Sequence, residues 1–397
     1  MTRTAALPST AVVWDPALLD YRFTAAHPMD PVRLELTEQL CAQLGVLDAE
    51  NVITITPELA TAEQLGSIHE AGYLDAVREA DANGVASEEH GLGTEDTPVF
   101  PQMHQGAARI AGGTAALAEG IASGRFARGV NFAGGMHHAH AGRAGGFCIY
   151  NDVALAAQTL LDAGFRRIAY IDVDAHHGDG TQQIFYADPR VMTVSVHQSG
   201  ANLFPFSGYP NETGTGEAAG MSVNLALPEE TDDAGFLRGF HALVPAVLDA
   251  FEPEVILSQH GADAHAQDPM SDLRLSLEGQ RRIALDIAEL AERHCAGRWL
   301  ATGGGGYAVH GIVPRAWTHL TAVVAGSPIP PDAKVPRGWQ EELTHLGVDP
   351  PTSMGDGAEP VFRSWEDGYD PENAVDRAII QTRKEIFPLW GLDPYYD

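Results

Sequence analysis

Between Asp172 and Asp179 the chain reads Asp-Val-Asp-Ala-His-His-Gly-Asp, three carboxylates and two imidazoles within eight residues. Such side chains bind a divalent cation through oxygen and nitrogen, and three protein ligands leave open positions for water and substrate, as metal-assisted hydrolysis requires. If Asp172 and Asp174 end a strand, the two-residue side-chain period turns both to one side, and His176 follows as the backbone leaves the sheet. With the carboxylate of Gly261-Ala262-Asp263, the pattern suggests one ligand set of Asp174, His176 and Asp263. A lone Asp-x-His more often caps a helix; so dense a cluster at a strand end points to a site.

Two further motifs have the chemistry to move protons. His137 and His138 follow Gly134 and Gly135, which allow a tight turn. Adjacent imidazoles beside a cation suit proton transfer, because their pKa lies near the working pH. Asp172 and Asp179 are the carboxylates available to orient them. The four glycines from Gly303 to Gly306 precede Tyr307 without the Lys-Ser/Thr or the helix spacing of a phosphate cradle. They read instead as a close-packed turn that sets one phenol over the metal, as a donor to an oxyanion.

These motifs need a scaffold that brings distant segments to one place. Short apolar runs at 12–14, 52–55, 129–132, 168–173, 191–196, 255–258 and 299–301 alternate with amphipathic stretches, the βαβ rhythm of a mainly parallel sheet. Several runs are apolar almost throughout, as in strands covered on both faces. Helices are expected at 152–163, capped by Asn151/Asp152 and stopped by Gly164, and between a Ser276 cap and Gly297. In an open α/β sheet the ligand site lies beyond the carboxyl ends of the strands, and four strand candidates run directly into the polar motifs. The expected organisation is a catalytic domain over 1–326 and a C-terminal extension over 327–397 packed on it. The extension is rich in Pro, Asp and Glu, yet its aromatic residues argue against full disorder.

Composition narrows the classes. The net charge of −30, from 24 basic and 54 acidic residues, repels a phosphate backbone and excludes a general nucleic-acid surface, while favouring cationic partners. No unbroken apolar run approaches the roughly 20 residues of a membrane span, and residues 1–10 lack the apolar core of a secretory signal. The three separated cysteines, Cys41, Cys148 and Cys295, form neither a C-x-x-C site nor a disulfide framework, and read as buried hydrophobes of a cytoplasmic protein. No repeat at 20 to 50 residues suggests a solenoid or propeller.

Taken together these residues resemble the zinc-dependent histone deacetylase superfamily, in its bacterial acetoin-utilization deacetylase branch. The likeness runs over about 12–317 and includes His27-Pro28-Met29, Glu95-Asp96-Thr97-Pro98, Gly145-Gly146-Phe147-Cys148 with Asn151-Asp152, and Asp268-Pro269. The resemblance implies an open three-layer arginase/deacetylase-type α/β fold. It implies zinc held by Asp174, His176 and Asp263, a proton-transfer pair His137 and His138 backed by Asp172 and Asp179 respectively, and Tyr307 as the transition-state tyrosine. It further implies an acyl-lysine tunnel walled by Phe147 and Phe204 with Met270 on a third side, Gly146 beside it, and Asp96 gripping the substrate at the rim. Potassium is implied at Asp172, Asp174, His176, Ser195 and Val196, and a second potassium near Phe185, Asp188 and Val191.

The substrate class implied is an acetylated protein lysine, with acetylpolyamines, which are small acetylated amines, as the nearest alternative. Zinc and ferrous iron both suit the ligand types, and the oligomeric state is left open. A two-metal ureohydrolase of the arginase type would want aspartates where Gly178 and His265 stand. A non-catalytic acyl-group sensor would have no need of the intact His137, His138 and Tyr307.

Overall fold

The computed structural model describes residues 8–396; the first seven residues, part of the segment read above for a secretory signal, lie outside it. Among the described residues eight strands form one sheet: β1 (Thr10–Val13), β2 (Val52–Ile55), β3 (Arg128–Asn131), β4 (Ile168–Asp172), β5 (Val191–Gln198), β6 (Ser222–Leu227), β7 (Val255–Gln259) and β8 (Trp299–Thr302). Their order is β2-β1-β3-β8-β7-β4-β5-β6. Every pairing is parallel, so the sheet is wholly rather than mainly parallel. Strands β3, β4, β5, β7 and β8 are buried at every residue, which is why they read as apolar runs.

The helices are α1 (Val32–Gln43), α2 (Ala62–Gly66), α3 (Ala71–Asn83), α4 (Met103–Ala122), α5 (Asp152–Asp162), α6 (Asp179–Phe185), α7 (Asp233–Phe251), α8 (Leu277–Cys295), α9 (Ile312–Val324), α10 (Arg337–His345) and α11 (Ala374–Ile386). One row, α4 with α5, packs on β1, β3, β7 and β8; a second row, α1, α9, α8 and α7, packs on β3, β5, β7 and β8. The rows lie on opposite faces. Asn131 bonds the Ile110 carbonyl of α4, whereas Arg128, an odd number of positions away on β3, reaches the Val323 and Val324 carbonyls of α9. This is the open three-layer fold. Helix α7 has the length and apolarity to cross a membrane, but most of it is buried within the fold and Asp233, Arg238 and Asp249 interrupt it.

Helix ends follow the local chemistry. Asn151 caps α5 by accepting the Ala154 N–H, and Ser276 caps α8 through the Gly279 N–H. Gly164 and Gly297 follow in left-handed backbone, as their stop roles require. Asp152 is not part of the cap: its carboxylate turns away to the loop after β3.

Two sequence expectations change. Strand β6 was not anticipated, because Ser222 and Asn224 break its apolar run; it is an edge strand, yet buried, because α11 lies on it. Strand β4 ends at Asp172, so Asp174 sits on the following loop, tied back by its N–H to the Asp172 carboxylate.

The segment after α9 is ordered around aromatic anchors. Trp339 is fully buried against α1 with Leu36, Leu40, Leu343 and Met354, and its indole N–H donates to the Leu36 carbonyl. Farther on, Arg238 of α7 and Asp376 of α11 form a buried ion pair at 2.5 Å, the guanidinium also reaching the Arg363, Ser364 and Gly368 carbonyls. With its hydrogen-bonding capacity met by carbonyls as well as by Asp376, this charge is not left exposed to an apolar interior.

Candidate active site

Strands β3, β8, β7 and β4 are consecutive neighbours, so the loops leaving their carboxyl ends meet above the middle of the sheet. The β4 loop brings Asp174 and His176, and the β7 loop brings Asp263. One donor atom from each lies within 4.8 Å of the others, and all three residues are buried. His176 Nδ1 stands 3.1 Å from Asp174 Oδ1 and 3.0 Å from Asp263 Oδ2. The approach is close enough to demand glycine nearby: a Cβ at Gly261 would strike the Asp174 carboxylate, and one at Gly305 that of Asp263. Gly305 N–H and the Gln259 amide both donate to Asp174 Oδ2, and Ala175 N–H donates to Asp263 Oδ1. These bonds hold both carboxylates in place beside the His176 ring. Burial, and then the charge of Asp174, push the Asp263 carboxyl up from its ordinary range. Two buried carboxylates in this position repel unless a cation lies between them, so the donor set fits one divalent ion.

His137 and His138 come from the β3 loop. His137 Nδ1–H donates to Asp172 Oδ2 at 2.7 Å, and His138 Nδ1–H to Asp179 Oδ1 at 2.7 Å. The two bonds are alike, but the surroundings are not. Burial would push His137 down, yet the charges of Asp172 and Asp174 outweigh it and hold the pKa up at about 9. For His138, burial and then the charge of His137 prevail over Asp179, and the pKa falls to about 4. The two surroundings thus push the rings apart, the inner toward its charged form and the outer toward its neutral one.

Tyr307 lines the same pocket as His137, His138, Asp174 and His176, together with Met29, Met136, Gly146 and Cys148. Burial, then Asp263 and Asp174, raise its phenol well above 10, so it keeps the proton it would donate. Phe147 meets the Tyr307 ring edge-on at 5.7 Å, and Phe204 meets the His138 ring at 5.0 Å. Gly146 has a positive φ of 51°, and a Cβ there would enter the His138 ring. Its N–H donates to Asp96 Oδ2 at 2.7 Å, which ties the Asp96 carboxylate to this loop. Met270 is half-buried, with its N–H on Asp268; the residues lining the pocket present Met29 and Met136 instead.

A model of the histone deacetylase domain matches residues 27–324. The chain belongs to the histone deacetylase family. Within it, the chain is 39% identical over 383 residues to the acetoin utilization protein AcuC of Bacillus subtilis (strain 168), covering 94% of this chain and 97% of that one. It is 38% identical to AcuC of Staphylococcus aureus (strain MSSA476), with 95% of each covered. These relatives set it in the bacterial acetoin-utilization branch. Among solved structures, a histone deacetylase homologue from Aquifex aeolicus superposes with a TM-score of 0.79 at 29% identity, covering 93% of this chain and 99% of that one. A homologue complexed with SAHA gives 0.81 at 28% identity, covering 96% and 100%.

Several residues of this deacetylase-family site are not evident from sequence spacing. Asp152 accepts the Gly135 and Met136 N–H groups and the Thr114 hydroxyl, which fixes the turn into His137. The Asn151 amide holds the His137 and Ala139 carbonyls. Arg33, buried on α1, donates to the Gly304 and Gly306 carbonyls and so braces the glycine turn before Tyr307. Asp268 accepts the N–H groups of Tyr307 and Ala308. The helix-cap reading of Asn151/Asp152 and the family-like motifs that include Asn151-Asp152 and Asp268-Pro269 hinted at the residues; their contacts span tens to hundreds of residues without a periodic signal.

The positions considered for potassium lie below and beside this centre. Ser195 and Val196 are buried on β5, with Ser195 directly opposite Asp172 in the β4–β5 register. The Ser195 hydroxyl is engaged by His197 Nδ1 at 2.8 Å. Phe185, Asp188 and Val191 form the turn from α6 into β5, where the Phe185 and Asp188 carbonyls accept the N–H groups of Asp188 and Val191. Arg190 holds the Asp188 carboxylate.

Proposed function

We propose that this chain is a one-metal deacetylase hydrolysing the acetyl-amide of acetyl-lysine in proteins, with Asp174, His176 and Asp263 as ligands. The observation that carries the proposal is the convergence of these three donor atoms within 4.8 Å, with Asp174 and His176 lining a pocket that Tyr307 and the His137–His138 pair also line. Zinc or ferrous iron fits the donors; when bound, the cation polarises the acetyl carbonyl and acidifies a water molecule.

The remaining work falls to side chains of this chain. His138, neutral and with Nδ1 engaged by Asp179, has Nε2 free to take the proton of the attacking water and return it to the leaving amine. His137, protonated beside Asp172, steadies negative charge as it develops. Tyr307 donates its phenolic hydrogen to the oxygen of the tetrahedral oxyanion. Phe147 and Phe204 would flank the lysine stem, with Asp96, Gly146 and Met270 toward the rim. We assign potassium to the backbone oxygens around Asp172, Asp174, His176, Ser195 and Val196, and a second ion to Phe185, Asp188 and Val191. The catalytic unit is then 1–326, with 327–397 an extension, in a cytoplasmic enzyme whose three buried cysteines are free thiols.

The test is hydrolysis of an acetyl-lysine peptide beside acetylspermidine, with Tyr307→Phe as control. The peptide is expected to turn over faster, and Tyr307→Phe to lose roughly 10² to 10³ in kcat, the effect of one oxyanion donor. Faster acetylspermidine cleavage would transfer the assignment to small acetylated amines, and unchanged turnover in Tyr307→Phe would defeat the mechanism.

A further inference from the structure

Asp356 lies beyond the residues matched by the family model, yet it touches the loop that carries Asp263. We infer that Asp356 is a positioning residue for Tyr307, acting through His265 and Asp268; the inference rests on the role of Tyr307 proposed above. His265 is 2% exposed and stands two residues after the ligand Asp263. Its Nδ1 accepts the Gln267 N–H at 3.1 Å, so the ring proton lies on Nε2, which donates to Asp356 Oδ2 at 2.9 Å. The carboxylate thereby selects both the tautomer and the orientation of His265. With the ring set, the turn closes: Asp268 N–H donates to the His265 carbonyl at 2.8 Å. Asp268 Oδ2 then accepts the Tyr307 and Ala308 N–H groups at 2.7 and 3.1 Å.

Asp356 is itself held from three directions. Its Oδ2 accepts the Leu277 N–H at the start of α8, Arg315 Nη2 stands 3.4 Å from Oδ1, and Glu278 accepts the Asp356 and Gly357 N–H groups. Arg315 also binds the Ser353 and Gly355 carbonyls. Residues 353–357 therefore form a rigid strap between the extension and the tyrosine turn. The position that a two-metal ureohydrolase would fill with an aspartate is here a histidine pointed away from the metal ligands, toward the strap.

The test is a double-mutant cycle on the full chain with an acetyl-lysine peptide. Asp356→Ala should lower kcat by about tenfold or more with KM within about twofold, while in a Tyr307→Phe background the same change should lower it by less than about twofold. Asp356→Asn, which keeps an acceptor oxygen, should restore most of the rate. Ile379→Ala, which loosens the extension where it covers β6, should leave kcat unchanged. Equal losses in both backgrounds, no loss, or the same loss from Ile379→Ala would overturn the inference alone. Unchanged turnover in Tyr307→Phe by itself would overturn the parent reading and this one with it. If Asp356→Ala does not fold, the cycle is run with His265→Gln, and the same outcomes decide.

Discussion

At the carboxyl ends of β3, β4, β7 and β8 the chain buries carboxylates and imidazoles; over residues 327–397 it buries Trp339, Leu343, Ile379, Ile386 and Phe387. The first kind of burial opposes folding unless every charge finds a partner, and the second favours it by roughly 1.5 to 3 kcal/mol for each large apolar side chain. The two regions therefore divide the labour. The sheet edge carries chemistry that the rest of the molecule must stabilise, and the extension supplies part of that stability by covering β6 and α1. Substitutions at the edge should change rates more than stability, and substitutions in the extension the reverse, with Asp356 the marked exception.

The largest departure should come from His138→Ala, expected to lower kcat/KM by roughly 10² to 10⁴, the range for a positioned general base, with little change in Tm. A loss of stability comparable to the loss of rate would erase the distinction between the regions. Its counterpart is Phe387→Ala, fully buried against the α7 side of the fold. Urea unfolding should report a loss of about 3–5 kcal/mol, while kcat/KM of the folded protein stays within about twofold. A smaller effect sharpens the contrast inside the edge itself. In the proposed mechanism the active form of His138 is neutral, and burial with the His137 charge lowers its pKa to about 4, so activity should persist as pH falls through the ordinary imidazole value of 6.5 and be lost only well below it. In Asp172→Asn, His137 loses the partner that keeps it charged, the repulsion on His138 relaxes, and the acid limb should move upward. A pH profile of kcat/KM for both proteins measures this, and a downward or absent shift would contradict the assignment of the two rings.

The same division explains what could be read from the chain beforehand. Strands β3, β4, β7 and β8 are buried on both faces, so each is a short run ending abruptly in polar residues, and the candidate ligand, histidine and tyrosine positions stand in those endings. Strand β6 escaped because Ser222 and Asn224 dilute its apolar signal, and the helix that buries it lies some 150 residues later, with Thr382 of α11 donating to the Asn224 carbonyl. Asp268, and Arg33 shortly after His27-Pro28-Met29, belonged to the family likeness, but their contacts, with the Tyr307 and Ala308 N–H groups and with the Gly304 and Gly306 carbonyls, leave no pattern in the sequence. Gln259 escaped altogether, because in the sequence it is one more residue at the end of β7, and only the fold brings its amide to Asp174. Asp174 was legible by type but not by setting, since it belongs to the loop after β4 and not to the strand. The extension showed its aromatic anchors but not what they anchor, because the faces they cover, on α1 and β6, belong to elements whose own patterns do not record the contact.

The central claim is that Asp174, His176 and Asp263 share one cation. Metal analysis of the purified protein against its Asp263→Asn variant tests it most directly: the account predicts about one divalent zinc or iron per chain, falling to a small fraction in the variant. Two ions per chain, or a content that Asp263→Asn leaves unchanged, would contradict it.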